Sequence, residues 1–224
     1  MLALKLGMSL VSTPKLGGWS PDDESSLEAW YQNAVGITLN GTDVSRWGDS
    51  SGNGRGMVQD TETEQPAYSA GVLTFDSATK ENLQTTGQVT LDEDFVIGFI
   101  ARPTATNVVI LADNTTTNES VKYSTTSRIV IKIGGASKNL DLDSGTFGED
   151  YIVISRDGSD LISLWVNGNL QSLPKTLAGS CLIDAIGVRA VDTNAFNGQV
   201  KEVQIYSTSN DTLIANVNAR LASI

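Results

Sequence analysis

Tyr151-Ile-Val-Ile-Ser-Arg156, Asp157-Gly-Ser-Asp160, Leu161-Ile-Ser-Leu-Trp-Val166, Asn167-Gly168 and Asn169-Leu-Gln-Ser-Leu173 follow one another without a break. Three short β-branched, aromatic or aliphatic runs are separated by an Asp-Gly and an Asn-Gly. Both dipeptides accept positive φ at low cost, which suits the tight turns of antiparallel hairpins. The stretch therefore predicts a three-stranded meander. Residues 152–154 and 161–166 are apolar at adjacent positions, so both of their faces need cover. Strands of that kind lie inside a layered β structure.

Working outward, the same grammar recurs. Residues 94–103 read as a strand that Pro103 ends, and 107–112 and 128–133 read as two more. Residues 72–75 and 82–84 are short strands flanking a turn, while 183–191 and 196–206 supply a further pair. Residues 113–127 are polar and Thr-rich around Val121-Lys-Tyr123, the composition of an exposed edge hairpin. Asn40-Gly41 breaks residues 37–47 into a second hairpin, and 26–32 fits either a strand or a short helix. Trp47-Gly-Asp-Ser-Ser-Gly-Asn-Gly-Arg-Gly56 is dense in turn formers and predicts a shaped structural loop with Trp47 packed beneath it. Beyond the capping residues at 207–211, Leu213, Ile214, Val217, Leu221 and Ile224 recur at helical spacing, the mark of an amphipathic helix. Residues 1–24 differ. Leu2, Leu4, Leu6 and Leu10 alternate with small or polar residues, and Thr13-Pro-Lys-Leu-Gly-Gly18 then breaks regular structure, so an extended arm is expected ahead of a domain at 25–224.

Composition removes whole classes of chemistry. The 224 residues include no histidine and one cysteine, and the net charge is −11. Without histidine there is no Ser-His-Asp or Cys-His catalysis and no His-ligated zinc. Cys181 can form no internal disulfide and sits among small apolar residues, so it reads as a buried structural thiol. An acidic balance argues against nucleic acid and against anionic membrane surfaces as partners. Residues 1–10 lack the apolar core of a signal peptide, and no apolar run is long enough to span a bilayer.

Several phrases, taken in order, resemble the concanavalin A-like lectin/glucanase (laminin G-like) domains. They are Leu27-Glu-Ala-Trp30, Val44-Ser-Arg-Trp47-Gly-Asp49-Ser-Ser-Gly52-Asn-Gly54, Pro66-Ala-Tyr68, Leu73-Thr-Phe-Asp76 and Asp94-Phe-Val-Ile97. Ile154-Ser-Arg-Asp-Gly158, Leu164-Trp-Val-Asn-Gly168 and the run from Phe196 to Tyr206 continue the series. The resemblance spans residues 26–224. It implies an all-β fold, a two-sheet antiparallel jelly-roll sandwich with an extended N-terminal arm and a short C-terminal helix. Residues 1–10 are similar to the openings of tailed-phage structural proteins, which implies a virion location and a multi-copy capsid or tail protein.

Function has to be argued from sites, because this fold serves enzymes, lectins and scaffolds alike. Glycoside hydrolysis needs two carboxylates across the scissile bond, and the Glu-x-Asp-x-x-Glu strand of the glucanases is absent here. Asp92, Glu93 and Asp94 are adjacent and cannot share a sheet face, whereas Asp141 and Asp143 would share one in a strand. No calcium loop or phosphate loop is complete, so no metal or cofactor is expected. The first expectation is a non-enzymatic capsid decoration protein that docks on other virion subunits through Leu4, Leu6, Leu10 and Trp19. The alternative is a carbohydrate-binding module for a host-surface glycan, using Asp113, Asn114, Asp192 and Asn194 on loops. Trp165, in mid-strand, reads as core and not as a sugar platform.

Overall fold

The computed structural model describes residues 18–190 and 193–224. In chain order the first strands are β1 (Leu27–Tyr31), β2 (Ile37–Asn40), β3 (Asp43–Trp47), β4 (Met57–Val58), β5 (Ala67–Ser69) and β6 (Val72–Phe75). The long middle strands are β7 (Leu83–Leu91), β8 (Phe95–Pro103) and β9 (Val108–Ala112), followed by β10 (Ser120–Thr125), β11 (Arg128–Ile133) and β12 (Ala136–Asp141). The last are β13 (Asp150–Arg156), β14 (Leu161–Val166), β15 (Asn169–Leu170), β16 (Lys175–Thr176), β17 (Cys181–Ile186) and β18 (Gly198–Tyr206), with the helix α1 (Asp211–Leu221) closing the chain.

Among the described residues all pairings are antiparallel, and they build two layers. In the first, β6 and β1 share one side of β18, and β8, β13 and β14 follow on its other side, with β15 and β16 beyond. In the second the order is β2-β3-β4-β7-β17-β9-β10-β11-β12. Among the described residues a single pairing, Asp43 of β3 with Ala67 of β5, joins the layers at one edge, β5 being paired with β6 of the first. This is the all-β jelly-roll sandwich expected from the hairpin grammar.

Alternation along each strand sorts side chains between the layers. Ile152 and Ile154 of β13 and Ile97 and Phe99 of β8 point inward against residues such as Val89, Ile110, Ile131 and Ile183 of the second sheet. Each such fully buried side chain contributes about 1.5–3 kcal/mol relative to exposure. Val153, between the two inward isoleucines, faces the other way and packs under α1 with Val96, Ile100, Leu213, Val217 and Leu221. The double-sided burial expected for β13 is therefore real, and the helix is what covers its second face. Asn210 caps that helix, its Oδ1 accepting the Leu213 N–H at 2.9 Å. Gly98 lets it approach, because a Cβ there would stand 2.5 Å from Val217 Cγ1.

Glu202 holds the same face together from β18. Fully buried, its carboxylate accepts from Trp30 Nε1 (3.0 Å), Asn33 N (3.0 Å) and Gln204 Nε2 (2.7 Å). Arg220 of α1 donates to it from Nε (3.2 Å) and an η nitrogen (3.1 Å), and its guanidinium lies over the Trp30 ring. One carboxylate thus ties β1, β18 and the helix.

The meander forms as expected, with two adjustments. Asn167 (φ 50°) and Gly168 (φ 76°) make a two-residue turn between β14 and β15, as their pairing chemistry predicts. In the other turn the positive φ falls on Asp160 (62°), not on Gly158, because Asp157 Oδ1 accepts the N–H groups of Ser159 and Leu161 and carries the bend itself. Moreover β14 is buried on one face only. Ile162 and Leu164 are inside, while Leu161 is exposed and Trp165 is half-buried.

Three other readings change. Residues 26–32 resolve into a strand, β1, preceded by a 3-10 turn at Pro21–Asp23. Residues 113–127 are not an exposed edge: β10 lies between β9 and β11, with Val121 and Tyr123 in the core, and the edge strand is β12. Part of the polar sequence that suggested exposure is the loop before β10, where Asp113, Thr115, Thr116 and Glu119 bond to one another. Asp143 lies beyond the end of β12 and does not share a strand face with Asp141. Asp141 accepts from Arg128 Nε at 2.6 Å, and Asp143 binds Ser172, whose hydroxyl and N–H hold its pKa below the ordinary range.

Candidate functional site

A polar cleft of about 580 Å³ opens on the outer face of the second sheet. Its floor is a row of cross-strand partners. Arg46 of β3 pairs with Val58 of β4, Val58 with Gln84 of β7, and Gln84 with Ala185 of β17, so their side chains emerge on one face. One wall is a large bulge. Residues 83–84 and 89–91 of β7 pair with β17 normally, but residues 85–88 stand against Asp184 alone. Extra residues on one strand bend it out of the sheet, and here the bend lifts Thr85 and Thr86 beside the cleft. The opposite wall is the segment Gln59, Asp60, Thr61 and Glu64.

Asp184 holds the floor to the third wall, the loop after β9. Its Oδ1 accepts the Asn114 N–H at 2.6 Å and its Oδ2 accepts from Gln88 Nε2 at 3.3 Å. Burial raises the Asp184 pKa above the ordinary 3.8; the Asn114 N–H opposes that shift and the nearby Asp113 adds to it. Asn114 in turn donates from Nδ2 to Gln84 Oε1 at 2.5 Å, which fixes both amides at the cleft surface.

Two charged groups in the cleft are uncommitted. Arg46 and Asp60 are exposed, and neither forms a hydrogen bond or ion pair among the described residues. The guanidinium lies along Gly56, where a Cβ would come within 3.2 Å of it. The Gly-rich loop that supplies Gly56 is structural, as expected. Its organiser is Asp49, whose carboxylate accepts the N–H groups of Trp30 (3.0 Å), Ser51 (2.9 Å) and Arg55 (3.0 Å). Trp47 is fully buried beneath it, with Nε1 donating to the Gln32 carbonyl.

The four ligand candidates named from sequence do not form one site. Asn114 lines the cleft. Asp113, its neighbour, is fully buried and serves the loop: its oxygens accept from Thr115 N, Thr115 Oγ1 and Thr116 Oγ1. Asn194 (φ 59°) bonds to an Arg189 η nitrogen at 2.7 Å, and its carbonyl accepts the Val109 N–H. Asp192 lies outside the described residues, as do Leu4, Leu6 and Leu10. Trp19 is described, and it packs against Tyr206 of the same chain with ring centroids 6.4 Å apart. Sequence reasoning missed Arg46, Asp60 and Gln84. One signal was available: Gly87 inside a strand-like run is the mark of a bulge.

Cys181 is buried, and burial pushes its thiol up to about 12, as a structural cysteine requires. Among the described residues no group of three or more Asp, Glu, Cys or His side chains is placed to hold a metal ion.

No known protein family and no curated protein matches the sequence. Solved structures do match, at the level of the fold. The ligand-binding domain of botulinum neurotoxin serotype D, solved with N-acetylneuraminic acid, superposes with a TM-score of 0.61 at 12% identity over 88% of this chain and 50% of that one. The binding domain of Paraclostridial Mosquitocidal Protein 1 gives 0.57 at 14% identity, over 91% and 53%. Domain 4 of AbnA, a GH43 extracellular arabinanase from Geobacillus stearothermophilus solved with arabinotriose, gives 0.55 at 16% identity, over 87% and 97%. The chain spans about half the length of each toxin fragment and nearly all of the arabinanase domain. The likeness is one of fold: these domains share the two-layer all-β sandwich of this chain.

Proposed function

We propose that this protein is a glycan-recognition module that holds an oligosaccharide in the cleft between Arg46 and Asn114 and performs no chemistry on it. The observation that carries the reading is the pairing of uncommitted and immobilised polar groups in one cleft. Arg46 and Asp60 are free to bond a ligand, and Gln84 and Asn114 are held at fixed orientation by each other and by Asp184. Planar amide, carboxylate and guanidinium groups match the paired hydroxyls of a sugar, which both donate and accept. The sugar ligands named for two of the fold neighbours support the same class of partner. A virion setting, with residues 1–24 as the attachment to other subunits, belongs to this reading on the likeness of residues 1–10 to phage structural proteins.

Wild type and the double variant Arg46→Ala/Asp60→Ala, both changed only at exposed and unbonded side chains, are compared on a glycan array. Wild type captures a defined set of glycans and the variant loses them. Equal capture by the variant would move the site elsewhere, and no capture by wild type would overturn the reading.

A further inference from the structure

The opposite side of the sandwich carries a second cavity, of about 280 Å³, where α1 begins against β13 and β14. Its apolar part is Trp165, Leu161 and Ile214. Trp165 is half-buried and packs against the cluster beneath α1, while the rest of the indole borders the cavity. Its polar part begins with Ser155 and Ser163, directly opposite each other on β13 and β14 and therefore on one face. Ser155 lines the cavity, and its hydroxyl makes no side-chain hydrogen bond there among the described residues. Asn210 spends its Oδ1 on the helix cap, which leaves its Nδ2 for another acceptor. Asp157 uses Oδ1 on its own turn and leaves Oδ2. Ser209 and Asp211 complete the rim.

The geometry points to a second sugar site here, for a single neutral pyranose ring. An aromatic edge bordered by unbonded hydroxyl, amide and carboxylate groups suits a ring with apolar C–H faces and polar hydroxyls around its rim. A neutral sugar is favoured because the two charged groups of the rim, Asp157 and Asp211, are both acidic, and an anionic sugar would be repelled. The inference shares only its ligand class with the proposed cleft. The cavity stands on the other sheet and uses none of the same residues.

The test uses full-length protein labelled with 5-fluorotryptophan, which gives one ¹⁹F signal for each of the four tryptophans. Trp165→Phe assigns the signal of interest by its loss. The probes are methyl glycosides of the common neutral hexoses. The Trp165 signal shifts saturably with at least one of them, the Trp30 and Trp47 signals stay still, and Arg46→Ala/Asp60→Ala leaves the titration unchanged. Ser155→Ala weakens binding about tenfold, the worth of one hydrogen bond. No movement of the Trp165 signal with any probe overturns the inference, and so does a shift that the Arg46→Ala/Asp60→Ala variant abolishes. Because the readout is local to Trp165, an empty cleft and an empty second site give different results.

Discussion

Replacing Glu202 by alanine removes the acceptor on which the outer face of the first sheet converges. Trp30 Nε1, Asn33 N and Gln204 Nε2 lose the partner they reach at 2.7–3.0 Å, and Arg220 loses both of its bonds. Breaking a buried ion pair by deleting one member costs about 3–5 kcal/mol. The Arg220 side chain keeps 26% of its exposure, and water there screens part of the orphaned charge, so the lower end, about 3 kcal/mol, is expected. At about 2–4 °C per kcal/mol in a chain of this size, the thermal midpoint falls by about 6–12 °C. Urea unfolding followed by fluorescence supplies the free energy, and an unchanged m-value shows that the unfolded state is not what moved. Arg220→Met should cost at least as much, about 3–5 kcal/mol, because it leaves the fully buried Glu202 carboxylate with neutral donors alone. A loss below about 1 kcal/mol for either variant would refute the assignment of this carboxylate as the clasp.

Gly98→Ala tests how closely α1 sits on β8. The added methyl meets Val217 Cγ1, a stiff β-branched side chain, so a loss of about 1–3 kcal/mol is expected, and Val217→Ala in the same chain should cost less than the sum of the two single changes. Strict additivity in urea unfolding would show that the helix does not rest there. Asp184→Asn tests the floor of the cleft. Burial raises the Asp184 pKa in the folded state, so its favourable contribution is full below the unfolded value and is lost as pH rises through the folded one. The asparagine keeps an oxygen for the Asn114 N–H, so it should gain on wild type in urea midpoint from about pH 3.5 to 7. Wild type gaining on the variant over that range would reverse the sign and remove the burial argument.

The scaffold was largely legible in the chain. Asn167-Gly168 marks its own turn because both residues accept positive φ, and the spacing of Leu213, Ile214, Val217 and Leu221 marks the helix that covers Val153. What was not legible depends on register. Val121-Lys-Tyr123 looks like an edge because its flanks are polar, and only the pairing of β10 with both neighbours shows that it is internal. The cleft is a product of the bulge at residues 85–88, which brings Thr85 beside Arg46, from a strand nearly forty positions earlier, and no local pattern encodes that meeting. Asn114, a candidate because Asx residues on loops suit sugars, does line the cleft. Asp113, chosen by the same rule, serves its own turn, which is the other thing such residues do. Trp165 reads as core because it sits in mid-strand beside Val166, yet β14 is covered on one face only and the indole is half-buried.

The most direct measurement is a crystal structure of the protein with an oligosaccharide captured by wild type on the array. The account predicts a sugar ring in the cleft of the second sheet, within hydrogen-bonding distance of Arg46, Asp60 and Asn114. An oligosaccharide seated away from those residues, or none at saturating concentration, would contradict it.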